Sequence, residues 1–180
     1  MLARLTQFVL PGVLMPIILT STASGVSARN DLRSVASPPT GAQITARLRH
    51  TLEIGSKGEY FRPLGKPLTI RDGRGTGTLT AVVGGRYPTA DAYGQVVFFW
   101  HNRRFNSLSA DYETPAIVSL KSPAPGTFVI NYARYRRNDP MCCPTLKPRQ
   151  VIYGWSGQIL ISDGAPPKGN GTPVRVRYVP

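Results

Sequence analysis

The hydrophobic positions change their spacing twice along the chain. From Leu5 to Leu19 they run nearly unbroken behind one cation, Arg4. Ile44, Leu48 and Leu52 then recur every fourth residue, the stripe of a short helix. Thr40 and Gln43 ahead of it have the spacing of a capping box, and Gly55 is a stop signal. Arg47, Arg49 and His50 lie off the stripe, which gives this helix a basic outer face. From Pro67 onward the apolar residues fall into short runs split by Gly, Pro, Asn and Asp, the grammar of strands and turns. The runs predict strands near 67–71, 77–84, 94–101, 103–108, 115–121, 127–136, 149–155, 157–162 and 173–178.

Two runs say more than strand. Between Gln95 and His101, Val96, Phe98 and Trp100 alternate with Val97 and Phe99, so both faces are apolar and the strand should be central and covered on both sides. In Thr127 to Arg137, Phe128, Ile130 and Tyr132 face one way, Val129, Asn131 and Ala133 the other, and the terminal arginines reach solvent. Asn102, Arg103 and Arg104 turn between two strands, and Ser156-Gly157 is expected to turn a hairpin between Trp155 and Gln158. The fold class that follows is mainly β (α+β): an antiparallel sheet, sandwich or partial barrel with one short N-terminal amphipathic helix packed on it. At 180 residues the chain has room for one average domain, placed at 40–180.

The first apolar run reads as the core of a secretory signal peptide over 1–28. Cleavage after Ala28 is suggested by Val26-Ser27-Ala28, with a second cut available after Ala23. Pro11, Gly12 and Pro16 interrupt the run, which is too short to span a bilayer comfortably. No cysteine precedes Cys142, so an acylated cysteine after this signal is not expected. Residues 29–39 read as a flexible leader. The expectation is a protein exported to the periplasm or the outside, with no lipid and no transmembrane anchor after cleavage.

Composition narrows the function. Lys and Arg total 22 against 9 Asp and Glu, a net charge of +13. A balance this basic attracts anionic surfaces. The arginines are scattered, with local groups only at Arg103-Arg104 and at Arg134, Arg136 and Arg137, and no nucleic-acid-binding motif accompanies them. Those five are the candidate anion-binding residues, and an anionic cell-envelope polymer or another envelope protein is the expected partner. Gly and Pro supply 18 and 17 residues, which excludes a coiled coil or helical bundle.

Candidate chemistry is sparse. Cys142 and Cys143 are the only cysteines and are adjacent; a vicinal disulfide, two free thiols, an intermolecular bridge and a metal site all remain open. No metal is expected, because only His50 and His101 are available to complete a zinc shell. His101 at the end of the apolar strand reads as a binding or acid–base residue or as a hydrogen-bonded histidine at a sheet edge, with Asp91 and Tyr93 as partners to consider and Trp100 beside it. No nucleophile–base set is visible, so no catalytic residue and no cofactor are assigned. Asp72-Gly73-Arg74-Gly75-Thr76-Gly77 lacks the Gly-Lys-Ser/Thr ending of a phosphate loop and the carboxylates of a calcium loop, and reads as a flexible hairpin loop. Asn170-Gly171-Thr172 is a glycosylation sequon, meaningful only in a eukaryotic secretory pathway.

Two stretches carry a family resemblance: TADAYGQVVFFWHNRRF (Thr89 to Phe105) and YARYRRNDPMCCPTLKPRQVIYGW (Tyr132 to Trp155). Together they resemble the LppP/LprE lipoprotein family of bacterial envelope proteins, over about Leu68 to Leu160. The resemblance implies an exported envelope domain of unestablished activity and hands over no catalytic residues. Export, charge and the missing catalytic set favour a non-enzymatic binding or scaffold module with affinity for anionic surfaces. The alternative is a thiol-redox or hydrolytic enzyme using Cys142 and Cys143 or His101.

Overall fold

The computed structural model describes residues 37–53, 58–88, 94–169 and 173–176. The expected signal peptide, residues 29–36 of the leader, Asp91, Tyr93 and the sequon lie outside them. Among the described residues one helix, α1 (Gly41–His50), precedes the strands β1 (Thr51–Glu53), β2 (Tyr60–Pro63), β3 (Leu68–Arg71), β4 (Thr78–Tyr87), β5 (Gln95–His101) and β6 (Arg104–Leu108). Then follow β7 (Ile117–Ala124), β8 (Thr127–Arg134), β9 (Leu146–Trp155), β10 (Leu160–Ser162) and β11 (Val174–Val176).

Thr40 and Gln43 form the capping box: Gln43 Oε1 accepts from the Thr40 amide at 2.9 Å and Thr40 Oγ1 from the Gln43 amide at 3.3 Å. The helix ends sooner than Gly55. Thr51 turns extended and donates its amide to Leu48, while its hydroxyl bonds the Arg47 carbonyl at 3.0 Å. The chain then pairs antiparallel with β11, Thr51 opposite Val176. Leu52, read as the third residue of the helical stripe, therefore belongs to β1. The β-branched Thr51 favours this change of state, and the partner strand that makes it worthwhile lies 125 positions away.

All sheet pairings among the described residues are antiparallel. Besides the β1–β11 pair, one sheet has the order β2-β4-β5-β6, with β3 also pairing on β4, and a second has the order β10-β9-β8-β7. They do not close into a barrel. Leu79, Ala81, Val97 and Phe99 from the first sheet pack against Phe128, Ile130, Tyr132, Val151 and Tyr153 from the second. The opposite face of the first sheet carries Phe61, Val82, Val96, Phe98 and Trp100, which close with Val174 over Ile44 and Leu48 of α1. The order is helix, sheet, sheet. Strand β5 sits in both cores, as its two apolar faces require, and each large side chain it buries stabilises the fold by about 1.5–3 kcal/mol.

The predicted strands all appear, and β1 and β2 are added. Tyr60–Pro63 gave little period-2 signal because Pro63 ends it after one buried residue, Phe61. The expected two-residue turn at Ser156-Gly157 is a four-residue loop, since Leu160 pairs with Trp155. Ser156 holds it, bonding Ile159 through amide and hydroxyl, while Asn106 donates to the Gln158 carbonyl at 2.8 Å.

Close packing of α1 on β4 and β5 depends on Gly84. A Cβ there would stand 2.5 Å from Phe98 Cε2 and 3.4 Å from Leu48 Cδ2, so a side chain pushes helix and sheet apart. Gly84→Val is expected to cost about 2–3 kcal/mol by overpacking, measured as a lowered denaturation midpoint; an unchanged midpoint would show that the helix is not seated on this strand.

Candidate functional site

The two-residue turn between β5 and β6, with Asn102 at φ 55°, carries Arg103 at its tip and opens on the helix side of the first sheet. A cavity of about 330 Å³ lies there, lined by Gln43, Ala46, Arg47 and His50 of α1 and by Trp100, Arg103 and Phe105. That volume is at the small end of ligand pockets, roughly 300–1,000 Å³. The floor is aromatic: Trp100 and Phe105 meet edge to face at 5.7 Å between centroids. The walls are basic. The Arg47 guanidinium lies 4.6 Å over the Phe105 ring, held flat by the ring's negative face. On the same helix Arg49 lies 5.5 Å over Tyr60, and nearby Arg62 lies 4.7 Å over Tyr87.

The candidate residues thus divide. Trp100 and Arg103 come together in the cavity, although Trp100 is almost wholly buried and presents only part of its ring. His101, one position along β5, turns to the opposite face, where it stacks on Trp155 of the second sheet at 4.6 Å. Its Nε2 lies 3.3 Å from Asp72 Oδ2. Arg104 is exposed in β6 opposite His101. Arg134, Arg136 and Arg137 stand exposed at the end of β8 and in the loop after it, on the other sheet.

Sequence reasoning missed Asp72 as His101's partner. Its carboxylate is buried in the β3–β4 loop and accepts from the Arg74 amide at 3.0 Å, the Thr76 amide at 3.3 Å and the Thr76 hydroxyl at 2.9 Å. The glycine-rich segment is therefore a loop wound around one carboxylate, where a flexible loop was expected. Arg74 extends from it to the Ser156 carbonyl and ties the two sheets together at this end. Burial pushes the Asp72 pKa up, but the hydrogen bonds from Thr76, His101 and Arg74 outweigh it and hold the carboxyl below its ordinary value. The signal that was available is Asp followed by amides two and four residues on, an Asx-type closure. The hydroxyl that joins the Asp72–His101 pair, that of Thr76, donates to the carboxylate, and the pair reads as a buttress between sheets.

Glu113 is a second buried carboxylate, fully enclosed. Its Oε1 lies 3.1 Å from Arg86 Nε, and Arg86 also reaches Glu59 at 3.6 Å. Among the described residues neither Glu113 oxygen has a hydrogen bond beyond this ion pair, and Gly94 passes directly over the carboxylate with no room for a Cβ. Among the described residues no cluster of three or more His, Cys, Asp or Glu is placed to hold a metal ion.

The β8–β9 loop presents Cys142 and Cys143 at the surface, sulfur against sulfur, with Cα atoms 3.8 Å apart. Asp139 closes the loop from within. It accepts from the Arg136 amide at 2.7 Å, the Thr145 amide at 2.9 Å and the Thr145 hydroxyl at 2.9 Å. The backbone bonds to Arg136 and Thr145 hold its pKa below the ordinary carboxylate range.

Residues 74–158 match the model of the LppP/LprE lipoprotein family, in the region where the sequence resembles it. The match takes in β4 to β9, and so the central strands of both sheets and the cysteine loop. No curated protein and no solved structure matches the chain. The family suggests an envelope protein, and no helix among the described residues is long and apolar enough to cross a membrane.

Asp72→Ala is expected to destabilise the fold by about 2 kcal/mol at neutral pH through the stranded amides. Because the folded-state pKa is depressed, the wild-type advantage is fully present above about pH 5 and shrinks as pH falls below about 4. Urea denaturation of both proteins across this range checks it, and a pH-independent gap would remove the carboxylate from the explanation.

Proposed function

We propose that this protein is an exported, single-domain envelope protein, with no lipid, that binds anionic polymer through the cavity between α1 and the β5–β6 turn. The observation that carries the reading is the convergence there of Arg47, Arg103 and His50 around an aromatic floor of Trp100 and Phe105. A concave site with few polar groups over rings suits a ring-bearing anionic unit of monosaccharide size, such as a uronate, better than bare inorganic anion. The net charge of +13 supports it by raising the local concentration of polyanion. Binding of this kind needs no catalytic set, in keeping with an Asp72–His101 pair that works between the sheets.

Export without a lipid rests on the apolar run behind Arg4 and on the position of the first cysteine at Cys142. On the same reading Cys142 and Cys143 are bridged, as an oxidising compartment favours.

Two measurements test these readings. In the first, affinity for polygalacturonate is followed by calorimetry as salt is raised from about 50 to about 200 mM; it should fall roughly tenfold or more. Arg103→Ala should weaken binding about tenfold, while joint replacement of Arg134, Arg136 and Arg137 by Ala should change it only a few-fold. The reverse ranking would move the site to the second sheet. In the second, intact mass of the exported protein should fit cleavage after Ala28 or Ala23 with no added lipid, and alkylation should need prior reduction. A mass increased by acyl chains would overturn the unlipidated reading.

A further inference from the structure

The cysteine loop is not explained by binding at the cavity, and its construction is unusual for a structural bridge. A disulfide stabilises chiefly by closing a long loop in the unfolded chain, and a bridge between neighbours closes none. Nor does the loop depend on it. Asp139 anchors both ends through Arg136 and Thr145, the Tyr135 hydroxyl donates to the Met141 carbonyl at 2.9 Å, and the Cys143 amide donates to Pro140 at 2.9 Å. Both cysteines and Met141 are exposed, away from either core. The segment from Arg134 to Arg149 carries five cations against one carboxylate, Asp139, which is already engaged by the backbone. Cations near a cysteine favour its thiolate.

We propose that Cys142–Cys143 is an exchangeable redox pair that accepts two electrons from a dithiol on a partner protein. This goes beyond polymer binding and rests on the bridged reading above. A thiolate of the partner attacks one cysteine sulfur; the S–S bond breaks and its electron pair leaves on the neighbouring cysteine as thiolate, forming a mixed disulfide. The partner's second thiol, once deprotonated, attacks that mixed disulfide and expels the remaining cysteine. The partner leaves as a disulfide and the loop holds two thiols, with two electrons and two protons transferred. The neighbouring arginines stabilise each departing thiolate, and the Asp139 clamp keeps the loop in place in both states.

The test uses the purified exported protein under native conditions, with dithiothreitol as the dithiol. The proposal expects both cysteines to become alkylatable within minutes, with an unchanged circular dichroism spectrum and a thermal midpoint moved by less than about 2 °C. Cys143→Ser should form a mixed disulfide at Cys142 with oxidised glutathione, more slowly once Arg136 and Arg137 are replaced by Ala. A bridge that is present but reduced only on unfolding, or whose loss lowers the midpoint by more than about 5 °C, would make it a structural staple and overturn exchange. Two thiols that stay unbridged in an oxidising glutathione buffer would overturn the bridged reading itself, and exchange with it.

Discussion

Everything else in the molecule is arranged around a strand that must be dry on both sides. In β5 the residues from Gln95 to Trp100 are all buried, with Val97 and Phe99 in one core and Val96, Phe98 and Trp100 in the other. A strand of this kind cannot sit at a surface, so a second sheet is required beneath it and another element above. The hairpin β8–β9 supplies the first and α1 the second. The small residues follow from the same demand, since Gly84 lets the Phe98 ring and Leu48 meet.

The end of β5 is also where its two faces acquire different chemistry. Consecutive side chains point to opposite faces, so Trp100 goes to the helix side and His101 to the sheet side. Trp100 becomes the floor of a basic cavity, and His101 becomes part of the buttress with Asp72 and Trp155. One turn thus serves both a surface open to ligand and a contact that fixes the two sheets.

Charge is distributed by the same logic. Asp72, Glu113, Asp139 and Glu59 are drawn into loop closures or ion pairs, and Asp163 accepts from the Ile152 amide at 2.9 Å. With most of the described carboxylates turned to internal work, the outside is left to arginine and lysine. Several of these arginines are stacked on rings, which keeps them oriented and only partly hydrated. A basic surface built from fixed guanidinium planes on aromatic rings suits recognition of anionic units better than a solvated lysine coat does.

The amino-acid sequence by itself determined the parts whose signal is local. The period-2 runs placed the strands from β3 to β11, the doubly apolar run made β5 central, and Thr40 with Gln43 marked where α1 begins. The family resemblance was likewise carried by contiguous motifs and reappears as the match over residues 74–158. What the sequence left undetermined depended on partners far away in the chain. The end of α1 is decided by Thr51 finding Val176, the partner of His101 is Asp72 across 29 positions, and the cavity exists because Arg47 of α1 lies over Phe105 beside the turn that carries Arg103. Spacing along a chain reports which face a side chain takes within its own element. Which two elements face each other, and hence which side chains meet, is settled only when both faces of β5 are covered.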